Sequence, residues 1–316
     1  MSIIQMFFAV ISKIASWVAQ SGFAIAFGST GTARAIVWNG SKFVAVGSIG
    51  GCATSADGIT WTNQSNLAAA VSNYQIQSIA WNGSKFVVVG GGGACATSTD
   101  GVTWAGQASL LTIFYPYVGA NSVCWDGTKF VVVGNSGKCA TSPDGITWAA
   151  SSSLASVSTN PFYSVVWNGS IFVAVGYQGV CATSSDGVNW TAQSGFAATF
   201  SSSVPNAIAW NGSKFVVVGG GGACATSTDG VTWASQGGFG VAFNSGNGGL
   251  GICWNGSKFI AVGTSGGCAT SSDGITWIKQ TDFTSAFGSS NDAYAVTTNG
   301  SRLVVVGSKG ACATNS

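Results

Sequence analysis

The chain has 316 residues, of which 47 are Gly, 4 are Pro and none is His, and its net charge is +2. Charged residues make up 6% of it, against about 25% in ordinary domains. This charge is too small to indicate a nucleic-acid partner, and the lack of His excludes Ser–His–Asp and Cys–His catalytic arrangements. The abundance of Gly, β-branched and aromatic residues predicts an all-β protein.

Residues 1–15 form a short apolar extension that is not needed to build the domain after it. The apolar run is too short to span a bilayer, and Lys13 follows the run rather than preceding it, which disfavours a signal peptide. The spacing of its apolar residues fits an amphipathic helix. We expect it to be an interface or anchor that docks on its own domain, on copies of itself or on a larger particle. The apolar residues concerned are Ile3, Ile4, Phe7, Phe8, Val10, Ile11 and Ile14.

From residue 16 to residue 316 the sequence repeats with a period of 42 to 44 residues. The tripeptide Trp-Asn-Gly, or a close variant, recurs once per repeat, and the motif ATSxDGxTW, or a close variant, follows each of the first six copies. The copies begin at Trp38, Trp81, Trp125, Trp167, Trp210, Trp254 and, in degenerate form, Thr298. Seven units of this length predict a seven-bladed β-propeller of four-stranded antiparallel blades.

The second repeat shows where the four strands of a blade lie. Residues 78–81 form the first strand, and the type I′ turn Asn82-Gly83 leads into the second strand at 85–90. The third strand is predicted at 94–98 and the fourth at 103–107.

The two ends of the chain predict how the ring closes. The seventh repeat stops at Ser316 before its fourth strand, while residues 16–20 are an orphan fourth strand whose Trp17 precedes Trp61 by 44 positions. We therefore expect residues 16–20 to complete the C-terminal blade and to remove its open edge.

The element Ser-x-Asp-Gly-x-Thr-Trp, seen at Ser98–Trp104 and Ser271–Trp277, resembles the Asp-box (BNR) repeat of sialidase-like propellers. The family pattern often has one more residue between Asp and Gly. The resemblance implies a structural turn between the third and fourth strands, away from the ligand face. A cation follows most of the Asn-Gly turns on the Asp-box side, and we expect these cations to neutralise the Asp-box carboxylates. They are Lys42, Lys85, Lys129, Lys214, Lys258 and Arg302.

A sialidase-like active site is disfavoured by the residues available. Such a site needs an arginine cluster and a Glu partner for its Tyr nucleophile, but the chain has two arginines, Arg34 and Arg302, and no Glu. Outside the Asp boxes only Asp126, Asp282 and Asp292 remain as carboxylates. We therefore predict no catalytic residues, no metal and no cofactor.

Seven of the nine cysteines share one third-strand position, which predicts small buried apolar side chains rather than disulfides or a zinc site. They are Cys52, Cys95, Cys139, Cys181, Cys224, Cys268 and Cys312. Unpaired thiols in this number favour folding in a reducing compartment over secretion.

The connections between blades are long and dissimilar, and their face lies opposite the Asp boxes. Aromatic and polar residues gather there across blades two to four, either as a binding patch for carbohydrate or protein or as rings packed under their own loops. The candidate ligand-binding residues are Tyr74, Phe114, Tyr115, Tyr117, Phe162, Tyr163, Tyr177 and Gln178.

The pattern WNGSKFVAVG followed by ATSxDGxTW is similar to repeats of predicted bacteriophage structural and tail proteins. That resemblance implies a non-enzymatic virion protein, assembled in the host cytoplasm, that binds a host-surface glycan or another virion protein and is part of an oligomer or larger particle. The alternatives are a secreted or cell-surface lectin and, less favoured, a sialidase-like enzyme.

Overall fold

The structure is a computed structural model that describes residues 16–116, 118–200, 203–243 and 246–315. Its strands form seven separate four-stranded antiparallel sheets, one for each sequence repeat. The predicted seven-bladed β-propeller is therefore confirmed. The proposed interface residues of the extension, from Ile3 to Ile14, lie outside the described residues.

In each blade the first strand lies next to the ring axis, and the second, third and fourth strands follow outwards in that order. The first strands are β2 (Ala33–Trp38), β6 (Ile76–Trp81), β10 (Ala120–Trp125), β14 (Phe162–Trp167), β18 (Pro205–Trp210), β22 (Gly249–Trp254) and β26 (Ala293–Thr298). The second strands are β3 (Phe43–Gly47), β7 (Phe86–Gly90), β11 (Phe130–Gly134), β15 (Phe172–Gly176), β19 (Phe215–Gly219), β23 (Phe259–Gly263) and β27 (Leu303–Gly307). The third strands are β4 (Cys52–Ser55), β8 (Cys95–Ser98), β12 (Cys139–Ser142), β16 (Val180–Ser184), β20 (Cys224–Ser227), β24 (Gly267–Ser271) and β28 (Cys312–Asn315). The short fourth strands are β5 (Thr62–Asn63), β9 (Ala105–Gly106), β13 (Ala149–Ser151), β17 (Thr191–Ala192), β21 (Ala234–Ser235), β25 (Ile278–Lys279) and β1 (Val18–Ala19).

The ring closes through the first described strand of the chain. β1 pairs with β28 in antiparallel register, with Val18 opposite Thr314, and Gln20 N donates a hydrogen bond to Cys312 O at 2.9 Å. The predicted closure is confirmed, although the paired segment is shorter than residues 16–20 because the fourth strands of all the blades are short.

The connections between blades contain short helices, which the sequence reasoning missed. They are α1 (Ser21–Phe27), α2 (Asn66–Ala70), α3 (Ala108–Phe114), α4 (Ser153–Val157), α5 (Ala197–Phe200), α6 (Gly238–Phe243) and α7 (Thr281–Phe287), with a 3-10 turn at Ser194–Phe196 before α5. Most carry two buried apolar side chains four residues apart, which places both on one helical face. Phe23 and Phe27 of α1, for example, stack with ring centroids 5.1 Å apart.

The core lies between neighbouring blades. Side chains of one second strand pack against the next blade, as Val44 and Val46 of β3 do against Phe86 and Val88 of β7. The cysteine at the shared third-strand position is buried in every blade, and all nine thiols are free. Burial raises the pKa of Cys52 to about 12, so this thiol is neutral at physiological pH.

Candidate functional site

The propeller has two different faces. On the loop face, helices α1–α7 lie beside short 3-10 turns that join second and third strands, such as Gly91–Gly93 and Tyr177–Gly179. On the opposite Asp-box face, the Asn-Gly turns of one blade meet the Asp boxes of the next. Lys42 Nζ, for instance, donates to the backbone oxygen of Asp100 at 3.1 Å. Lys85 and Lys214 make the same kind of bond to the backbone oxygens of Asp144 and Asp273, whereas Lys129 pairs with Asp126 of its own turn. The predicted neutralisation of the box carboxylates is therefore seen only in part, since the charge of Lys85 contributes to the lowered pKa of Asp144.

The Asp boxes form self-contained turns. Asp144 Oδ1 accepts hydrogen bonds from the backbone N–H groups of Ile146 and Thr147, both at 2.8 Å, and from Ser142 Oγ at 2.9 Å. These bonds, led by the one from Thr147, lower the pKa of Asp144 against partial desolvation. Trp148 Nε1 donates to Gly145 O at 3.2 Å. The carboxylate is thus used in its own turn, which leaves it poorly suited to proton transfer.

The structure divides seven of the eight predicted ligand-binding residues into three groups. Phe114 and Phe162 are fully buried, so these two rings belong to the core and not to the binding surface. Phe114 is the second member of the apolar pair in α3, and Phe162 is the first residue of β14, a position that is buried in every blade. Tyr117 lies outside the described residues.

Four of the other candidates form what we call the loop patch: Tyr74, Tyr115, Tyr177 and Gln178. Their side chains are exposed, and that of Tyr115 is 66% exposed. Gln178 accepts a hydrogen bond from Asn160 Nδ2 at 3.2 Å. These residues remain candidates for contact with a ligand.

The last candidate, Tyr163, points into the central channel with one residue from each of the other six blades. We call these seven residues the channel ring: Arg34, Gln77, Asn121, Tyr163, Asn206, Leu250 and Tyr294. Each is the second residue of its first strand, where the pairing with the second strand shifts register by one residue. Such a β-bulge leaves one side chain unpaired and redirects it, here towards the axis.

The channel ring lines a cavity of about 280 Å³. The guanidinium carbon of Arg34 lies 4.8 Å from the ring centroid of Tyr294, a cation–π distance. Burial raises the pKa of Tyr294, although the charge of Arg34 opposes this, and burial also raises the pKa of Tyr163. Both phenols are therefore neutral hydrogen-bond donors at physiological pH.

Two features of the ring bear on what it could bind. Arg34 Nε is buried and has no hydrogen-bond partner among the described residues. Asn121 and Asn206 are held by bonds to the next blade, since their Nδ2 groups donate to Phe162 O at 2.9 Å and to Gly249 O at 2.8 Å. Their side-chain oxygens have no partner among the described residues. The ring thus offers fixed amides and an unsatisfied cationic donor.

Sequence reasoning found one member of this ring and missed six. It compared the loops between blades, whereas the signal lies inside the first strands. The residues before and after this position are small or apolar in most blades, while the position itself changes from Arg to Gln, Asn, Tyr and Leu.

Among residues 16–116, 118–200, 203–243 and 246–315, no group of three or more His, Cys, Asp or Glu side chains could hold a metal ion. Over the same residues no helix has the length and apolar character needed to cross a membrane.

Comparisons with known proteins agree on the propeller. The model of the DUF6242 β-propeller domain matches residues 142–245. YCF48 from Cyanidioschyzon merolae is 18% identical over 95% of this chain and 98% of its own, with a TM-score of 0.69. A YCF48 bound to a D1 peptide is 17% identical over 96% and 97%, with a TM-score of 0.70. The WD40 propeller domain of Doa1 is 10% identical over 95% and 97%, with a TM-score of 0.66. A search of curated proteins finds no match.

Proposed function

We propose that this chain is a non-enzymatic binding module whose channel ring recognises a polypeptide partner. The observation that carries the proposal is the variation of the ring. In a chain whose blades otherwise repeat closely, the position that faces the axis holds a cation, three amides, two phenols and one Leu. Core packing does not require this mixture, because the ring side chains are only half-buried and face an open cavity.

The ring chemistry favours peptide groups as the ligand. Carboxamides and phenols pair with the N–H and C=O groups of a peptide backbone, and the unpaired Arg34 Nε requires an acceptor oxygen. A buried donor left without a partner costs about 1–3 kcal/mol. A ligand carbonyl or carboxylate that accepts a hydrogen bond from Arg34 Nε would therefore bind more tightly. The similar YCF48 that is bound to a D1 peptide offers a precedent for the fold.

The seven ring side chains are amides, phenols, one guanidinium and one Leu, which are groups that bind rather than transfer protons at physiological pH. Asp292 lies beside the ring and accepts hydrogen bonds from Ser265 N, at 3.1 Å, and from the Tyr294 phenol.

A host-surface glycan is the second candidate ligand. It is favoured by the exposed tyrosines of the loop patch, since amphipathic aromatic rings suit the faces of sugars.

We also propose that the chain is a virion-associated protein that is assembled in the host cytoplasm and attached to other virion proteins through residues 1–15. Mass spectrometry of purified particles would test the virion proposal, which is wrong if the chain is absent from them.

The test of the binding site is to probe peptide and glycan arrays with the labelled full-length chain and two variants. Tyr163→Ala removes a phenol from the channel ring, and Tyr115→Ala removes one from the loop patch. We expect peptide binding that falls at least tenfold in Tyr163→Ala and is unchanged in Tyr115→Ala, with both variants folded by circular dichroism. The reverse pattern on glycans would favour the loop patch, and binding by none of the proteins would contradict both candidates.

A further inference from the structure

The guanidinium of Arg34 is the only charged group of the channel ring. Its Nε atom is buried and unpaired, and the side chain forms no hydrogen bond or ion pair with any other residue that the structure describes. The described part of the wider channel wall adds no second charged side chain. Arg34 therefore lines the cavity with a positive charge that no carboxylate of those residues pairs with.

Arg34 is held in place by Tyr294 of the neighbouring blade. The guanidinium carbon lies 4.8 Å from the ring centroid of Tyr294, and the Tyr294 phenol in turn donates a hydrogen bond to Asp292. Asp292 also accepts a bond from Ser265 N at 3.1 Å, so the acid nearest to the ring is already engaged. The contact with the aromatic ring supplies no acceptor oxygen, and the N–H donors of Arg34 therefore remain for a ligand.

The far side of the channel ring offers acceptors instead of donors. Asn121 of the third blade and Asn206 of the fifth donate through Nδ2 to Phe162 O and Gly249 O, so their side-chain oxygens are left for a ligand. The ring thus has a cationic donor on the first blade and amide oxygens on the third and fifth. A ligand that matches both carries a carboxylate and, beside it, N–H groups, as a peptide with an acidic side chain or a free C-terminus does.

We propose that the channel ring binds a carboxylate of its peptide partner, with Arg34 as the residue that contacts the carboxylate and Tyr294 as the residue that positions Arg34. This inference rests on the proposed function and adds the ligand group that the ring selects. A guanidinium can bind a carboxylate through two parallel N–H···O bonds, which would give Arg34 Nε an acceptor and balance its charge. An acidic side chain and a C-terminal carboxylate share this chemistry, and the first test distinguishes them.

The first test uses peptide arrays in which every sequence is printed in matched forms, with a free or an amidated C-terminus and with Asp or Asn at one internal position. The labelled full-length chain should bind the forms that carry a carboxylate at least tenfold more tightly than the neutral forms. Loss on amidation would identify the C-terminal carboxylate, and loss when Asn replaces Asp would identify an acidic side chain. Peptide binding that falls in Tyr163→Ala but is equal for charged and neutral forms would leave the peptide site standing and overturn the carboxylate proposal.

The two arginines of the chain, Arg34 and Arg302, provide a matched pair of variants for the same arrays. Arg34→Gln keeps a polar side chain but removes the charge, and it should abolish the preference for carboxylate forms. Arg302→Gln changes the Asp-box face and should retain the preference, with both variants folded by circular dichroism. A preference that survives in Arg34→Gln, or that is lost equally in both variants, would contradict the proposal.

The positioning role of Tyr294 is tested by the ratio between the binding of charged and neutral forms. Tyr294→Leu removes the aromatic face and should lower this ratio at least several-fold, whereas Tyr294→Phe keeps the face and should retain most of it. An equal fall in the binding of both forms would mean that Tyr294 only shapes the wall, and its positioning role would be wrong.

The last test uses the unaltered full-length chain and does not depend on peptide binding, so it separates failure of the proposed function from failure of carboxylate recognition. Methylglyoxal modifies arginine side chains, and mass spectrometry measures Arg34 and Arg302 separately. At constant ionic strength the carboxylate N-acetylglycine should slow the modification of Arg34 at least several-fold, whereas its neutral amide should not, and Arg302 should react at one rate throughout. Equal rates for Arg34 with both probes, or no reaction of Arg34 at all, would overturn the proposal.

Discussion

At the scale of single residues, the glycine that follows the Asp in each Asp box determines how closely two neighbouring blades pack. Gly145 has φ +72°, and a Cβ added to it would lie 2.5 Å from Val87 Cγ2 of the preceding blade. Gly127 of an Asp-Gly turn also has a positive φ, +102°, but nothing lies within 4 Å of an added Cβ. Substitutions at these two positions therefore distinguish the cost of the left-handed backbone from the cost of a clash between blades.

We therefore predict that Gly145→Ala destabilises the protein more than Gly127→Ala. Both variants should lose about 1–2 kcal/mol from the left-handed backbone, and Gly145→Ala should lose about 1–3 kcal/mol more from overpacking. Urea unfolding of the two variants and the parent chain measures the difference. Equal losses would show that the blades separate enough to accept a methyl group.

At the scale of elements, the repeat was sufficient to predict the strands, the blade number and the closure, because Asn-Gly turns and the short apolar runs between them are local signals. The helices were missed because they are only four to seven residues long and their polar residues resemble loops. The buried pair Phe239 and Phe243, four residues apart, was the available signal. The bulges that orient the channel ring leave no local mark in the sequence, since a bulge depends on the pairing of two strands.

Ring closure gives a prediction at this scale. Gln20 N donates to Cys312 O across the closure, and Gln64 N makes the same bond to Cys52 O at 2.8 Å inside the first blade. Proline removes the donor in either place. In Gln20→Pro the weakened strand pair is β1 with β28, which closes the ring. We therefore expect faster hydrogen–deuterium exchange throughout the seventh blade.

In Gln64→Pro the two strands remain joined by their Asp-box turn, and faster exchange should stay within β4 and β5. Size-exclusion chromatography should show association of Gln20→Pro but not of Gln64→Pro, because an open blade edge can pair with another chain. Identical exchange patterns in the two variants would mean that β1 contributes no more to closure than an internal strand does to its blade.

At the scale of the whole molecule, six Asp boxes and seven buried cysteines link the stability of the ring to pH in opposite directions. In Asp100, Asp229 and Asp273, hydrogen bonds outweigh desolvation and lower the pKa to about 2. In Cys95 and Cys224, burial raises the pKa to about 12. The chain has no His to titrate between these limits.

The unfolded chain therefore binds more protons than the native one in acid and fewer in alkali. The contribution of the carboxylates is present above their unfolded pKa of about 4 and is lost as the pH falls from there through about 2. The contribution of the thiols is present below their unfolded pKa of about 8.5 and is lost as the pH rises towards 12. We expect the melting temperature by circular dichroism to be nearly constant from pH 5 to pH 8 and to fall on both sides. An inflection near pH 6.5 would contradict this account, because no side chain of the folded ring is expected to titrate there.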